Sequence, residues 1–185
     1  MTTPQDILGC WFAGDPSSRR DIWFQKNDAF DDECRQFLNA HQDARTGELD
    51  HWTDTAEGTL ALLILLDQFS RNLHRGSPEA FAADPKARMI AEAAIERGFD
   101  RSLTPVQRMF VYLPFEHSEN LADQERSVAL FESLRADLGD RTIDYAARHR
   151  DVIRRFGRFP HRNAVLCRRN TAAEDAYLAE PGAGF

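Results

Sequence analysis

The stretch Asp67-Gln68-Phe69-Ser70-Arg71-Asn72-Leu73-His74-Arg75 follows directly on the apolar run Leu60 to Leu66, so polar groups emerge from what reads as a core helix. In unbroken helical phase, Asp67, Arg71, His74 and Arg75 share one face. The simplest use of that face is an ion pair between Asp67 and Arg71, four residues apart, closing the helix end. The chemical alternative turns the carboxylate, the guanidinium and Asn72 toward a ligand.

A second polar stretch, Pro114-Phe115-Glu116-His117-Ser118-Glu119-Asn120-Leu121, reads as the entry to a helix. Counting back four residues from Leu121 puts His117 on the core side, flanked by Glu116 and Glu119. Acidic residues in a first turn are favoured by the helix dipole in any case. His149 is also expected to point inward, because Tyr145, Ile153 and Phe156 mark the apolar face it shares. A histidine among carboxylates can serve as general base, metal ligand or pH-dependent hydrogen-bond partner. None of the usual two-histidine zinc spacings is present, so neither a metal nor any other cofactor is expected.

The densest segment is Arg154-Arg155-Phe156-Gly157-Arg158-Phe159-Pro160-His161-Arg162-Asn163, a helix stop followed by a stiff cationic loop. Arg158, His161, Arg162 and Asn163 are suited to hold a carboxylate or phosphate. The bland counterpart is an arginine-rich connection paired with acidic residues elsewhere. Arg141 to Asn170 carries a local charge of +7 while the whole chain stands at −7, which leaves −14 for the remainder. A sequence pI near 5.4 lacks the broad positive field of nucleic-acid binders, so nucleic acid is disfavoured as the anion.

The elements that must position these groups read as helices. Thr3-Pro4-Gln5-Asp6 caps a short first helix, and Phe30, Cys34, Phe37, Leu38 and His41 mark a second from about Asn27 to Ala44, stopped by Gly47. A third starts near Thr53-Asp54-Thr55 and is apolar on every side, as expected of a helix surrounded by others. Asp84-Pro85 opens the next, and Thr104-Pro105-Val106-Gln107 opens one running to Pro114. A segment from Phe115 to about Asp137 with a break near Asp123, then Asp140 or Thr142 to Phe156, and a last helix from Thr171 complete the reading. Nothing of length alternates with the period of a half-buried strand, so the chain reads as all-α, one domain over residues 1–185 with 181–185 as a loose tail.

The three cysteines are scattered and the beginning of the chain has no apolar leader pattern, which fits a reducing cytoplasm. The longest apolar run is far too short to span a bilayer, so no membrane role is expected.

The stretches Leu65 to Asn72, Tyr112 to Glu119 and Arg155 to Asn163 resemble the signatures of the bacterial family called domain of unknown function 924. Trp23-Phe24, Gly47 to Trp52, Gln107-Arg108 and Thr171 to Glu174 add to the likeness, which covers nearly the whole chain. The departures are Ser70 in place of proline, His74 in place of an aromatic and Cys167 in place of glycine. The resemblance implies a fold similar to tetratricopeptide-repeat (TPR-like) proteins, antiparallel helix pairs in a right-handed superhelical array. It implies no activity.

In such an array the three signatures can converge on one polar pocket of Asp67, Arg71, Asn72, Glu116, His117, Glu119, His149, Arg158, His161, Arg162 and Asn163, walled by Trp23, Trp52 and Tyr112. Three functions fit that set. The leading one is a binding module for a small anionic ligand or an acidic peptide end. A hydrolase would use His117 or His149 as base and arginines to stabilise developing negative charge, although no nucleophile stands out. The third is a buried ion network that only fixes helix register. The sequence assigns no oligomeric state.

Overall fold

The computed structural model describes residues 2–184. These are mostly helical with no strand among them, and they form two compact units, residues 2–75 with 79–114 and residues 76–78 with 115–184. No helix among the described residues is long and apolar enough to cross a membrane.

In the first unit, α1 (Pro4–Phe12) starts as expected. Thr3 and Asp6 form a reciprocal capping box, and Pro4 occupies a position whose N–H would have no partner anyway. α1 delivers Trp11, fully buried, to an aromatic cluster. Trp11 stacks on Trp23 with centroids 5.8 Å apart, and Phe30, Phe69 and Phe110 surround it at 5.5–5.6 Å.

The expected second helix is two: α2 (Asp28–Arg35), capped by Asn27, and α3 (Leu38–Thr46). The chain leaves helical geometry at Phe37, whose side chain is buried, while Leu38 turns outward. α3 ends at Gly47, where φ of +98° suits a residue without Cβ.

α4 (Ala56–Leu63) begins at the Thr55 cap and packs against α1 and α6 (Asp84–Glu96). Leu60 to Leu66 are all fully buried, so each large side chain contributes roughly 2 kcal/mol of transfer free energy. The helix then widens into a π turn, Ile64–Phe69, before resuming as the short α5 (Ser70–Leu73). That turn breaks the assumed phase. Asp67 and Arg71 stay together, Arg75 reaches α2 instead, and His74 lies beside His41 of α3 with ring centroids 5.3 Å apart.

α7 (Pro105–Glu116) opens on the Thr104–Gln107 pair and runs two residues past Pro114, which forfeits a backbone bond without stopping the helix.

In the second unit the break expected near Asp123 falls earlier, at residues 117–120, and Asn120 caps α8 (Leu121–Glu132). His117 therefore lies in a turn, half-buried, and Leu121, the assumed core marker, is exposed. Gln124 holds this turn, its amide donating to the carbonyls of Glu116 at 2.6 Å and Ser118 at 2.7 Å. After the single turn α9 (Arg135–Leu138), α10 (Asp140–Phe156) runs back along α8 and ends at Gly157, where φ is +69°. The last helix, α11 (Ala172–Leu178), carries the Thr171–Glu174 capping box. Of the expected loose tail, residues 181–184 form turns, with Arg148 donating to the Gly182 carbonyl at 3.2 Å; Phe185 lies outside the described residues.

Candidate functional site

Both units carry buried polar groups. In the first, Asp67 is almost fully buried and pairs with Arg71 at 3.0 Å, while Arg71 forks onto both oxygens of Asp84 at 3.0 and 3.1 Å and also donates to the Asp67 carbonyl at 2.7 Å. The Gln68 amide donates to the other Asp67 oxygen. Burial works against the Arg71 charge, but the two carboxylates outweigh it and hold the guanidinium firmly protonated. Asn72 serves a different carboxylate. It donates to the buried Asp31 of α2 at 2.7 Å, and Arg75 closes on the same group at 2.6 and 2.9 Å. Burial alone would raise the Asp31 carboxyl; these hydrogen bonds hold it below its ordinary range.

In the second unit the buried ring of Phe159 is the hub. The Arg162 guanidinium lies over it at 4.5 Å, with the His149 and His161 rings at 5.6 and 5.5 Å. Its backbone is clamped too. Glu119 accepts from the Phe159 amide at 2.8 Å, Arg168 donates to the Phe159 carbonyl at 3.1 Å, and Arg168 and Glu119 form a two-pronged pair at 2.6 and 2.9 Å. Burial would raise the Glu119 carboxyl, yet the bonds from Arg168 and the Phe159 amide keep it low. Arg162, itself buried, donates to the His117 carbonyl at 3.0 Å, which ties the loop after α10 to the turn before α8.

His149 points inward as expected. Its Nδ1 lies 2.8 Å from the Tyr145 carbonyl and 3.4 Å from the Glu116 carboxylate. A carbonyl can only accept, so Nδ1 carries the proton and Nε2 is the unprotonated nitrogen. Burial, reinforced by His117 and then by the positive charge of Arg162, pushes His149 down to about 3. His161 falls to about 4 through burial first and the charge of Arg162 second. His117 completes the group, its ring 6.5 Å from that of His149.

The other two candidates in this unit are turned elsewhere. Arg158 forks onto Glu174 at 2.6 and 2.8 Å and donates to the Arg169 carbonyl, and Asn163 bonds Asn170 at 2.8 Å. Ser118 donates to Asp123 at 2.7 Å, so its hydroxyl is engaged away from the histidines. Among the described residues no group of three or more histidine, cysteine or carboxylate side chains is placed to hold a metal ion.

The second unit thus gathers Glu116, His117, Glu119, His149, His161 and Arg162, and the first pairs Asp67 with Arg71 while Asn72 bonds Asp31 instead. Sequence reasoning missed Arg168, whose partner Glu119 lies 49 residues away. The charge excess of residues 141–170 was its trace. It also missed Asp84, which read only as a helix opening, and Asp31, which no motif singled out.

An all-α chain whose arginines and histidines gather on buried aromatic and carboxylate groups is the class the geometry defines. Residues 7–182 match the family described as Bacterial protein of unknown function (DUF924), and the chain belongs to that family. It is similar to the solved structure of the protein of unknown function ATU0120 from Agrobacterium tumefaciens, at 44% identity and a TM-score of 0.85. The likeness covers 95% of this chain and 96% of that one. No curated protein matches the chain.

Proposed function

We propose that the chain is a binding module and that its second unit takes a small anion or an acidic peptide end at Arg162, His161 and His117, with Arg168 and Glu119 fixing the loop and the Glu116–His149 pair beneath. The observation that carries this reading is the buried Arg162 guanidinium set among three histidines, two of which its own charge helps keep unprotonated at neutral pH. Neutral imidazoles beside a fixed cation offer N–H donors to an anion without adding charge to a buried place. A TPR-like arrangement is compatible with α10 running back along α8, and three free thiols fit a reducing cytoplasm. A general base near 3 is mismatched to neutral pH by several orders of magnitude, which counts against His149 as the base of a hydrolase.

A specific observation favours the structural alternative as well. Arg71 and Arg158 are each forked onto a carboxylate, as a register-fixing ion network requires. The deciding experiment is a thermal-shift screen with phosphorylated metabolites, carboxylates and short acidic peptides on the wild type and Arg162→Ala. A ligand present at 100 times its Kd adds about 2.7 kcal/mol, roughly 5–10 °C at this chain length. The expected result is such a shift in the wild type and none in the variant. It should grow as pH falls from 7 toward 5, because an anion next to Arg162 favours protonated His161 and binding then takes up a proton. No shift with any compound, together with a variant destabilised by several kcal/mol, would assign the cluster to structure alone.

A further inference from the structure

Beyond α11 the backbone turns through Pro181 to Gly184 and comes back against His161, a member of the anion site of the second unit. A Cβ placed on Gly184 would lie 3.0 Å from His161 Cβ, 3.5 Å from Cγ and 3.9 Å from Nδ1. A side chain would collide there, so glycine is what lets the tail approach the ring so closely. The approach covers the Nδ1 edge of the imidazole: Nδ1 is buried although His161 as a whole is only half-buried. The charged and titratable groups around this ring are Arg162, Glu119, His117 and Arg168.

Only light contacts hold the tail down. Arg148 donates to the Gly182 carbonyl at 3.2 Å from an exposed position, and the Gly184 amide reaches the Tyr177 hydroxyl at 3.5 Å, beyond the usual length of such a bond. Pro181 and Gly182 are exposed, and no large side chain of residues 181–184 anchors the segment. Gly182 and Gly184 take φ of +77° and +90°, and glycine has other conformations open to it at little cost. A segment held this way opens locally for little free energy. An anion approaching His161 Nδ1 competes with the tail for the same edge of the ring.

We infer that residues 181–184 are a strap over the anion site of the second unit: closed on His161 they exclude the anion, and lifted they admit it. This regulation rests on the anion reading proposed above. A strap closed about nine-tenths of the time weakens anion binding roughly tenfold relative to a chain without it.

The test compares the full chain with one lacking residues 181–185 and with Gly184→Ala, whose Cβ meets His161 and whose backbone is strained at that φ, so that the strap lifts without shortening the chain. NMR of the His161 ring is read first without any anion. Its titration midpoint, near 4 in the full chain, should rise by about one pH unit in both variants as the ring gains solvent. Inorganic phosphate and acetate are then titrated at pH 7, and both variants should bind at least one of them roughly tenfold more tightly than the full chain. An unmoved His161 midpoint, or equal anion affinity in all three chains, would overturn the strap while leaving the anion site standing. A raised midpoint with no response to either anion in any chain would sink the anion reading and the strap with it, leaving the tail as a cover alone.

Discussion

Cys167 adopts a left-handed backbone, φ +54°, in the loop where the family resemblance calls for glycine. A side chain with Cβ is strained there, and this one is exposed and contributes no core packing. Cys167→Gly should therefore raise stability by about 0.5–1 kcal/mol in urea unfolding, relief of strain outweighing the added freedom of the unfolded chain. An unchanged or lower midpoint would mean the loop tolerates the cysteine without strain. At this scale the sequence was legible where a residue's surroundings are local. His149 was placed inward from neighbours on its own helix, and it is inward. His117 is not on the core side, because Leu121, the apolar residue four positions on, faces solvent. Arg168 was invisible because its partners come from distant chain, and no spacing rule links it to Glu119 or Phe159.

Among the elements, the helix starts at Thr3, Thr55 and Thr171 were the most readable, since these residues cap with side-chain bonds that their types announce, whereas the start at Asn120 was expected further on, near Asp123. Two interruptions were not. The apolar period runs through Phe37 and Leu38 without a pause, and Ile64–Phe69 has no residue that distinguishes a π turn from an α turn. Gly58 gives the sharpest prediction here. It sits in the first turn of α4, and a Cβ on it would lie 2.3 Å from the Trp52 carbonyl oxygen. Gly→Ala inside a helix ordinarily gains up to about 1 kcal/mol. Gly58→Ala should instead cost about 2 kcal/mol, because a backbone atom and not a flexible side chain must move. Chemical denaturation would check it, and a stabilised variant would contradict the close approach.

For the whole molecule, the all-helical class was legible and the division into units was not. The boundary falls inside α7, between Pro114 and Phe115, where no linker composition marks it. Acid sensitivity is a property of both units together. His41 is pushed down to about 4 by burial, joining His161 at about 4 and His149 at about 3, against an ordinary value near 6.5. Between those values the unfolded chain binds protons that the folded chain does not, so stability is full above about pH 6.5 and falls as the pH drops toward 4. Each histidine contributes on the order of 2 kcal/mol across that window. Unfolding midpoints at pH 7, 6 and 5 should fall steadily before ordinary carboxylates titrate; a flat profile from 7 to 5 would contradict the buried neutral state of these rings.

The π turn also bears on how the chain tolerates changes of length. A π turn holds one residue more than the α turn it replaces, so the central helix carries a surplus residue between Ile64 and Phe69. Deleting one of the apolar residues there would let the helix close into regular α geometry while Arg71 keeps its angular position toward Asp84. The same deletion in α4 or α6 would rotate everything beyond it by about 100°. The feature that broke the phase argument is thus a built-in slack, at which this core can be shortened by one without being rewound.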